Sequence, residues 1–334
     1  MSIYVIAEAG VNHNGDIGLA KRLIDVAYEC GANAVKFQTF KAEESTGLTA
    51  GKAEYQNKND PLGESQFEMI RKLELPFSDF SVLKGYCESK PIDFISTPDG
   101  SDSLNYLLGL DVSVIKIGST EITNYPFLKE IASSKKPVIL STGMSTLGEV
   151  ERAVDIFLEM GNNNLQLMHC TTDYPTNVED VNLKAMLTLR EAFHLPVGYS
   201  DHTLGYEAAI AAAALGATCI EKHITLDQDM PGPDHKASMP PEQFMEYVKK
   251  IRNTEVLLGD GRKKPTQNEM RIMQQVRRSI LAIRDIPAGT ILEKSMFCYK
   301  RPGIGISPEY TDLLVGRVLK HNKGKEEPIM WEDV

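Results

Sequence analysis

The chain switches between two hydrophobic periods, and it does so eight times. Short β-rich runs occur at I-Y-V-I-A-E from Ile3, A-V-K-F-Q-T-F from Ala34, D-F-I-S-T-P from Asp93, S-V-I-K-I-G-S from Ser113, P-V-I-L-S-T-G from Pro137, L-Q-L-M-H-C-T from Leu165, P-V-G-Y-S-D from Pro196 and C-I-E-K-H-I-T from Cys219. Each is followed by a helical pattern, such as L-A-K-R-L-I-D-V-A-Y, L-G-E-V-E-R-A-V-D-I-F-L or Y-E-A-A-I-A-A-A-A-L. Ser145 or Thr146 is placed to cap a helix over Leu147 to Met160, with Gly161 beyond it. Eight β/α units in about 260 residues match a TIM (β/α)8 barrel in count and size. A doubly wound open sheet is the main rival. The chain lacks a G-x-G-x-x-G turn after its first strand, which removes the best-known dinucleotide-binding form of that rival.

The pattern changes after Gly259. G-D-G-R-K-K-P-T-Q-N-E is polar, and a short helix over E-M-R-I-M-Q-Q-V-R-R follows it. From Ser279 the chain has short strands and Pro/Gly turns, which predict a small β-rich domain. The expected division is 1–262 for the barrel, 263–278 for a linker and 279–334 for the small domain. A domain of roughly 55 residues is marginal alone and is expected to dock on its own barrel or a neighbour's.

Composition excludes several classes of function. The 334 residues carry a net charge of −10, which argues against a broad nucleic-acid or anionic-membrane surface. There is no run of about 18 apolar residues and no basic n-region before an apolar stretch, so neither a membrane span nor a signal peptide is expected. The five cysteines are scattered without C-x-x-C spacing, as expected of reduced thiols in a cytoplasm.

In a TIM barrel the chemistry lies at the C-terminal ends of the strands. Those ends carry Glu8; Lys36 and Gln38; Thr97; Lys116 and Ser119; Ser141; His169 and Thr171; Ser200 and His202; and Glu221 and His223. Lys36 and Lys116 sit in otherwise apolar strands, where a lysine needs an anionic partner. Structural ion pairs with Glu8 or Glu221 are one account. The other is an anion pocket, completed by the hydroxyls of Thr97, Ser119, Ser141 and Ser200.

His202 and His223 end adjacent strands. Two neutral imidazoles with oxygen ligands suit Mn²⁺, Fe²⁺, Co²⁺ or Zn²⁺, with Asp201 or Glu221 orienting them. Core histidines satisfied by backbone are the bland alternative. His13, in the loop after the first strand, is a further residue expected at this mouth. Alternation along I-E-K-H-I-T puts Glu221 and His223 on the interior face and Lys222 on the outer one. Asp234, in the loop M-P-G-P-D-H-K-A-S-M, is an acceptor for sugar hydroxyls or part of a solvated turn. Arg301 lies in a turn of the small domain.

The motifs A-E-A-G-V-N-H-N-G, V-K-F-Q-T-F, F-I-S-T-P, K-I-G-S-T-E, L-S-T-G-M, H-C-T-T-D-Y-P-T, Y-S-D-H-T, E-K-H-I-T-L-D, G-P-D-H-K-A-S and K-R-P-G-I-G-I-S occur in this order across nearly the whole chain. Together they resemble the sialic acid (N-acetylneuraminate) synthase family, and the tail resembles its antifreeze-like, or SAF, domain. The resemblance implies a condensing transferase that joins phosphoenolpyruvate to the open-chain aldehyde of an N-acylated mannosamine. The products are a nine-carbon 2-keto acid and phosphate.

It further implies a divalent metal on His202 and His223, Mn²⁺ first with Mg²⁺ or Co²⁺ as alternatives, and Glu8 as the proton-moving catalytic residue. Phosphoenolpyruvate would be held by Lys36, Thr97, Lys116, Ser119, Ser141, Tyr174 and Ser200. The sugar would meet Gln38, Asp234 and Arg301, the arginine coming from the other subunit of a domain-swapped homodimer. Asp99, Thr120 and Thr172 depart from the common pattern of the sialate-making members. E-I-T-N, K-A-E-Y-Q and Y-S-D-H-T are similar to sialate and legionaminate synthases alike. N-acetylneuraminate is the leading product and N,N'-diacetyllegionaminate, from a 2,4-diacetamido-2,4,6-trideoxy sugar, the second. No extra basic cluster is evident for a 6-phosphorylated acceptor. A metal-dependent TIM-barrel hydrolase is a more distant alternative, and the tail alone raises a carbohydrate- or ice-binding protein.

Overall fold

The computed structural model describes residues 2–52 and 65–334, so residues 53–56 of K-A-E-Y-Q lie outside it. The chain divides into two compact units, 1–259 and 260–334.

The first unit is a closed barrel of eight parallel strands. They are β1 (Tyr4–Gly10), β2 (Ala34–Phe40), β3 (Asp93–Asp99), β4 (Ile115–Ile117), β5 (Val138–Ser141), β6 (Leu165–Cys170), β7 (Val197–Asp201) and β8 (Cys219–His223). All eight runs expected from the sequence form strands. β1 closes the barrel against β8 with Ile6 opposite Glu221 and Glu8 opposite His223. On the other side of β1, Glu8 pairs in register with Lys36 of β2.

Alternation assigns each strand two faces. The outer face packs Val5, Ala7, Val35, Phe37, Phe94, Ile115, Leu140, Leu167 and Ile220 against the surrounding helices. The inner face has an apolar layer of Ile6, Ala34, Ile95, Ile139, Met168 and Cys219. Two residues further along most strands, toward their C-terminal ends, the inner side chains become polar.

The helices follow from the same pattern. Ile17–Glu29 buries Ala20, Leu23, Ile24 and Ala27, a stripe at helical spacing, and Asp16 caps it by accepting from the amides of Gly18 and Leu19. Leu147–Glu159 begins at Thr146, whose hydroxyl accepts from the Glu149 amide while the Glu149 carboxylate accepts from the Thr146 amide. Thr146, rather than Ser145, is therefore the cap.

The second unit begins with the helix Gln267–Val276 and continues into an antiparallel pair, β9 (Ser279–Ala282) and β10 (Phe297–Lys300). Its own core is Ile280, Ala282, Ile286, Leu292, Phe297, Ile306, Leu314, Leu319 and Ile329. Lys323 is buried there and paired with Asp333 at 2.7 Å. No helix among the described residues is long and apolar enough to cross a membrane.

Candidate active site

A cavity of about 260 Å³ opens at the C-terminal ends of the barrel strands. Its lining includes Glu8, Lys36, Gln38, Thr97, Lys116, Ser119, Ser141, Tyr174, Ser200, His202, His223 and Asp234. These are the residues that the family resemblance assigns to catalysis, substrate or metal, with one exception. Arg301 belongs to the second unit, where it precedes a cis proline, Pro302.

The floor is an ionic cluster. Lys36 Nζ lies 2.7 Å from Glu8 Oε2 and 3.8 Å from Glu221 Oε2, with all three side chains buried. Gln38 Nε2 donates to Glu8 Oε1 at 3.1 Å. Burial pushes the Glu8 carboxyl up, and this exceeds the opposing pull of Lys36. Burial also opposes ionisation of Glu221, but Lys116, Lys36 and His223 together override it and hold its carboxyl at about 2. Two carboxylates on one lysine are thus driven apart, one toward the acid and one toward the anion.

Among the described residues, no carboxylate lies within ion-pair distance of Lys116. Its Nζ donates to Ser141 Oγ at 2.7 Å and to the Ile117 carbonyl at 3.1 Å, and burial lowers its pKa. An ammonium held by neutral acceptors in a buried cavity is short of negative charge. Ser119 stands nearby and accepts from the Gly143 amide at 2.9 Å. Gly143 is required by space: a Cβ there would overlap Thr172 Oγ1, Ser119 Oγ and Cys170 Sγ.

The two histidines lie with ring centroids 5.6 Å apart, and the Tyr174 ring covers His202 at 4.1 Å. Burial drives both below the ordinary histidine range, His202 to about 4, so both are neutral at pH 7. His202 Nδ1 is 2.6 Å from the Thr171 carbonyl, which only accepts, so Nδ1 carries the proton. Ser200 Oγ lies 3.0 Å from Glu221 Oε1 and 3.2 Å from His202 Nε2. Its single proton goes to the ionised carboxylate, which leaves the Nε2 lone pair available. A neutral imidazole with its second nitrogen pinned to a carbonyl is a prepared metal ligand. Among the described residues no group of three or more His, Cys, Asp or Glu side chains could hold a metal ion. The histidine pair fits part of a coordination shell whose other positions would go to substrate oxygens and water.

The structure corrects several expectations at this mouth. Asp201 does not support the histidines, because strand alternation turns it outward. There it accepts from Tyr247 Oη at 2.9 Å and from Thr203 Oγ1 at 2.7 Å, and it pairs with Lys222 at 3.2 Å. Lys222 does point outward, under the Tyr247 ring. His13 is fully buried outside the cavity, 6.1 Å from the outward-facing Phe37, with its Nδ1 accepting from Gly15. His169 also faces outward and bonds the Val181 carbonyl, so Cys170 and Thr172 line the cavity in its neighbourhood instead. His235 bonds Thr225 and Asn14, and thereby ties the loop carrying Asp234 to the loop after β1.

Other lining residues carry no assignment from the sequence: Asp99, Thr120, Cys170, Ser45 and the apolar Val11, Phe40, Met69, Ile70 and Leu73. Asp99 was legible, being two residues beyond Thr97 on the same strand face. The helix Gln66–Lys72 was not, because nothing at the strand ends points to it.

Comparison with known proteins bears on this site. The NeuB family model matches residues 23–263, and the SAF domain model matches residues 277–334. The chain is 47% identical to the N,N'-diacetyllegionaminic acid synthase of Legionella pneumophila, over 100% of this chain and 95% of that one. It is 45% identical to the enzyme of the same name from Campylobacter jejuni, over 97% and 98%. Among solved structures, the N-acetylneuraminic acid synthetase of Leptospira borgpetersenii, in complex with citrate, superposes with a TM-score of 0.72 at 36% identity. That match covers 81% of this chain and 90% of the other. With a barrel, a strand-end cavity of this composition and relatives of this identity along its length, the chain belongs to the NeuB family of sialic-acid-type synthases, condensing transferases with a SAF domain at residues 277–334.

Proposed function

We propose that this enzyme condenses phosphoenolpyruvate with 2,4-diacetamido-2,4,6-trideoxymannose to give N,N'-diacetyllegionaminate and phosphate. The sequence alone ranks N-acetylneuraminate first. The identities of 47% and 45% to two N,N'-diacetyllegionaminic acid synthases favour the reverse order. The observation that carries the reaction type is the juxtaposition in one cavity of an anion-deficient lysine, two neutral imidazoles and a buried carboxyl of raised pKa.

In this reading Lys116, with Ser119, Ser141 and Ser200, binds phosphoenolpyruvate, and Lys36, Thr97 and Tyr174 complete its pocket. Gln38 and Asp234 orient the open-chain sugar. His202 and His223 would hold a divalent cation, Mn²⁺ first, which polarises the aldehyde carbonyl when bound. C3 of phosphoenolpyruvate forms the new bond to the aldehyde carbon. Water then adds at C2, and the tetrahedral carbon expels phosphate with cleavage of its C–O bond. Glu8, at the cavity floor, gives its proton to the aldehyde oxygen as the new bond forms, and its carboxylate then takes the proton of that water. The assignments of Arg301 to the sugar and of a domain-swapped homodimer rest on the family resemblance.

The test is phosphate release from phosphoenolpyruvate by metal-stripped protein, with and without Mn²⁺, given either the 2,4-diacetamido sugar or N-acetylmannosamine. Release that needs both the metal and an acceptor, and is faster with the diacetamido sugar, is the expected result. Release faster with N-acetylmannosamine would reverse the product order, and none with either would move the more distant hydrolase alternative to first place.

A further inference from the structure

The cavity is divided chemically. Over β4 to β8 its lining is hydroxyls, a lysine, imidazoles, the Cys170 thiol and the Glu221 carboxylate. Over β1 to β3 the strand ends Glu8, Lys36, Gln38 and Thr97 are polar, and beside them stands a wall of apolar side chains. Val11, Phe40 and Leu73 form a separate small cluster there, with Ile70 packed on it and Met69 beside it. The helix Gln66–Lys72 brings Met69 and Ile70 to the wall, and the capping box of Ser65 and Glu68 fixes where that helix starts.

One carboxylate interrupts the wall. Asp99 ends β3 opposite Phe40 and lines the cavity with Ser45. Burial, reinforced by Glu121, pushes its carboxyl up to about 7. Among the described residues, the only lysines or arginines in the lining are Lys36 and Lys116. Lys36 is engaged deeper in the cavity by Glu8.

We propose that the helix Gln66–Lys72 sets the acceptor specificity of this enzyme. Ile70 and Met69 take the methyl groups of an N-acylated deoxy sugar, and Asp99 accepts the hydrogen bond of the donor beside them. This rests on the condensation proposed above. A hydroxymethyl group at the wall would be desolvated without a partner, whereas a methyl gains by burial. A second acetamido group offers an N–H for Asp99 and a further methyl for the wall. A phosphorylated terminus would face the Asp99 carboxylate, where among the described residues the lining offers no lysine or arginine beyond Lys36 and Lys116.

The experiment compares kcat/KM for the diacetamido sugar and for N-acetylmannosamine in wild type, Ile70→Thr, Ile70→Asn and Asp99→Ala. Ile70 is only partly buried, and Ile70→Thr keeps the β-branched shape, so a folded variant is secured alongside the more polar one. Wild type should prefer the diacetamido sugar. Ile70→Asn should cut that preference at least tenfold, through the sugar KM, with Ile70→Thr intermediate. Asp99→Ala should lower kcat/KM for both sugars at least tenfold, because either presents a donor there. A wild type that prefers N-acetylmannosamine, or uses neither sugar, overturns the product reading and this inference together. A wild type that prefers the diacetamido sugar, with the preference untouched in both Ile70 variants, overturns this inference alone.

Discussion

Lys36 Nζ sits 2.7 Å from Glu8 Oε2, on neighbouring strands and in register, directly above an apolar layer of the barrel interior. Removing one member of such a pair strands the other charge out of water. Lys36→Ala should therefore destabilise the protein by about 3 to 5 kcal/mol, read from the denaturant midpoint. Glu8→Gln keeps the shape and leaves Lys36 its second carboxylate, Glu221 at 3.8 Å, and should cost less stability. Its phosphate release should fall by roughly a hundredfold or more while phosphoenolpyruvate still binds. A Glu8→Gln enzyme of normal turnover would remove Glu8 from the chemistry.

Lys222 and Asp201 form a second buried pair, behind the barrel wall and beside Tyr247. Because this pair faces the helix Pro241–Leu258 and not the cavity, its loss should show as stability. Lys222→Ala is expected to lower the denaturant midpoint by an amount comparable to Lys36→Ala, with both substrate KM values within about twofold of wild type. A large KM change at an unchanged midpoint would contradict the outward orientation.

His202 and His223 should behave as a unit. Alanine at either position is expected to abolish Mn²⁺ binding by calorimetry and to reduce metal-dependent phosphate release at least a hundredfold. Chelation of the wild type should do the same, reversed by added Mn²⁺. Unaltered Mn²⁺ binding in both variants would place the cation elsewhere.

Asp99 makes a prediction about pH. Its carboxyl is raised from an ordinary 3.8 to about 7, first by burial and then by Glu121. The native state therefore binds this proton more readily than the unfolded chain does. The associated stability is full below about pH 4 and is lost as pH rises through about 7. Asp99→Asn cannot ionise, so its thermal midpoint should gain on that of wild type between pH 5 and pH 8. A difference that stays flat or shrinks over this range would mean that the native carboxyl is not raised.

Much of the site could be read from the sequence because strand parity is a strict rule. Once Ile6, Lys36 or Thr97 is placed on the inner face, Glu8, Gln38 and Asp99 follow two residues on. The same rule, applied more strictly, would have turned Asp201 and His169 outward, since each is one residue from an inward neighbour. His13 escaped it because a loop has no period.

The sequence by itself determined the barrel, the polar mouth and the small second domain, since hydrophobic period and strand-end chemistry are local properties of the chain. Tertiary structure alone decided which carboxylate pairs with which cation. It also decided that His202 presents its Nε2, and that the helix Gln66–Lys72 walls the cavity beside Asp99. Those outcomes depend on side chains distant in sequence meeting in a space that water does not reach. There a neighbour's charge and the loss of hydration, not residue type, fix where each proton lies.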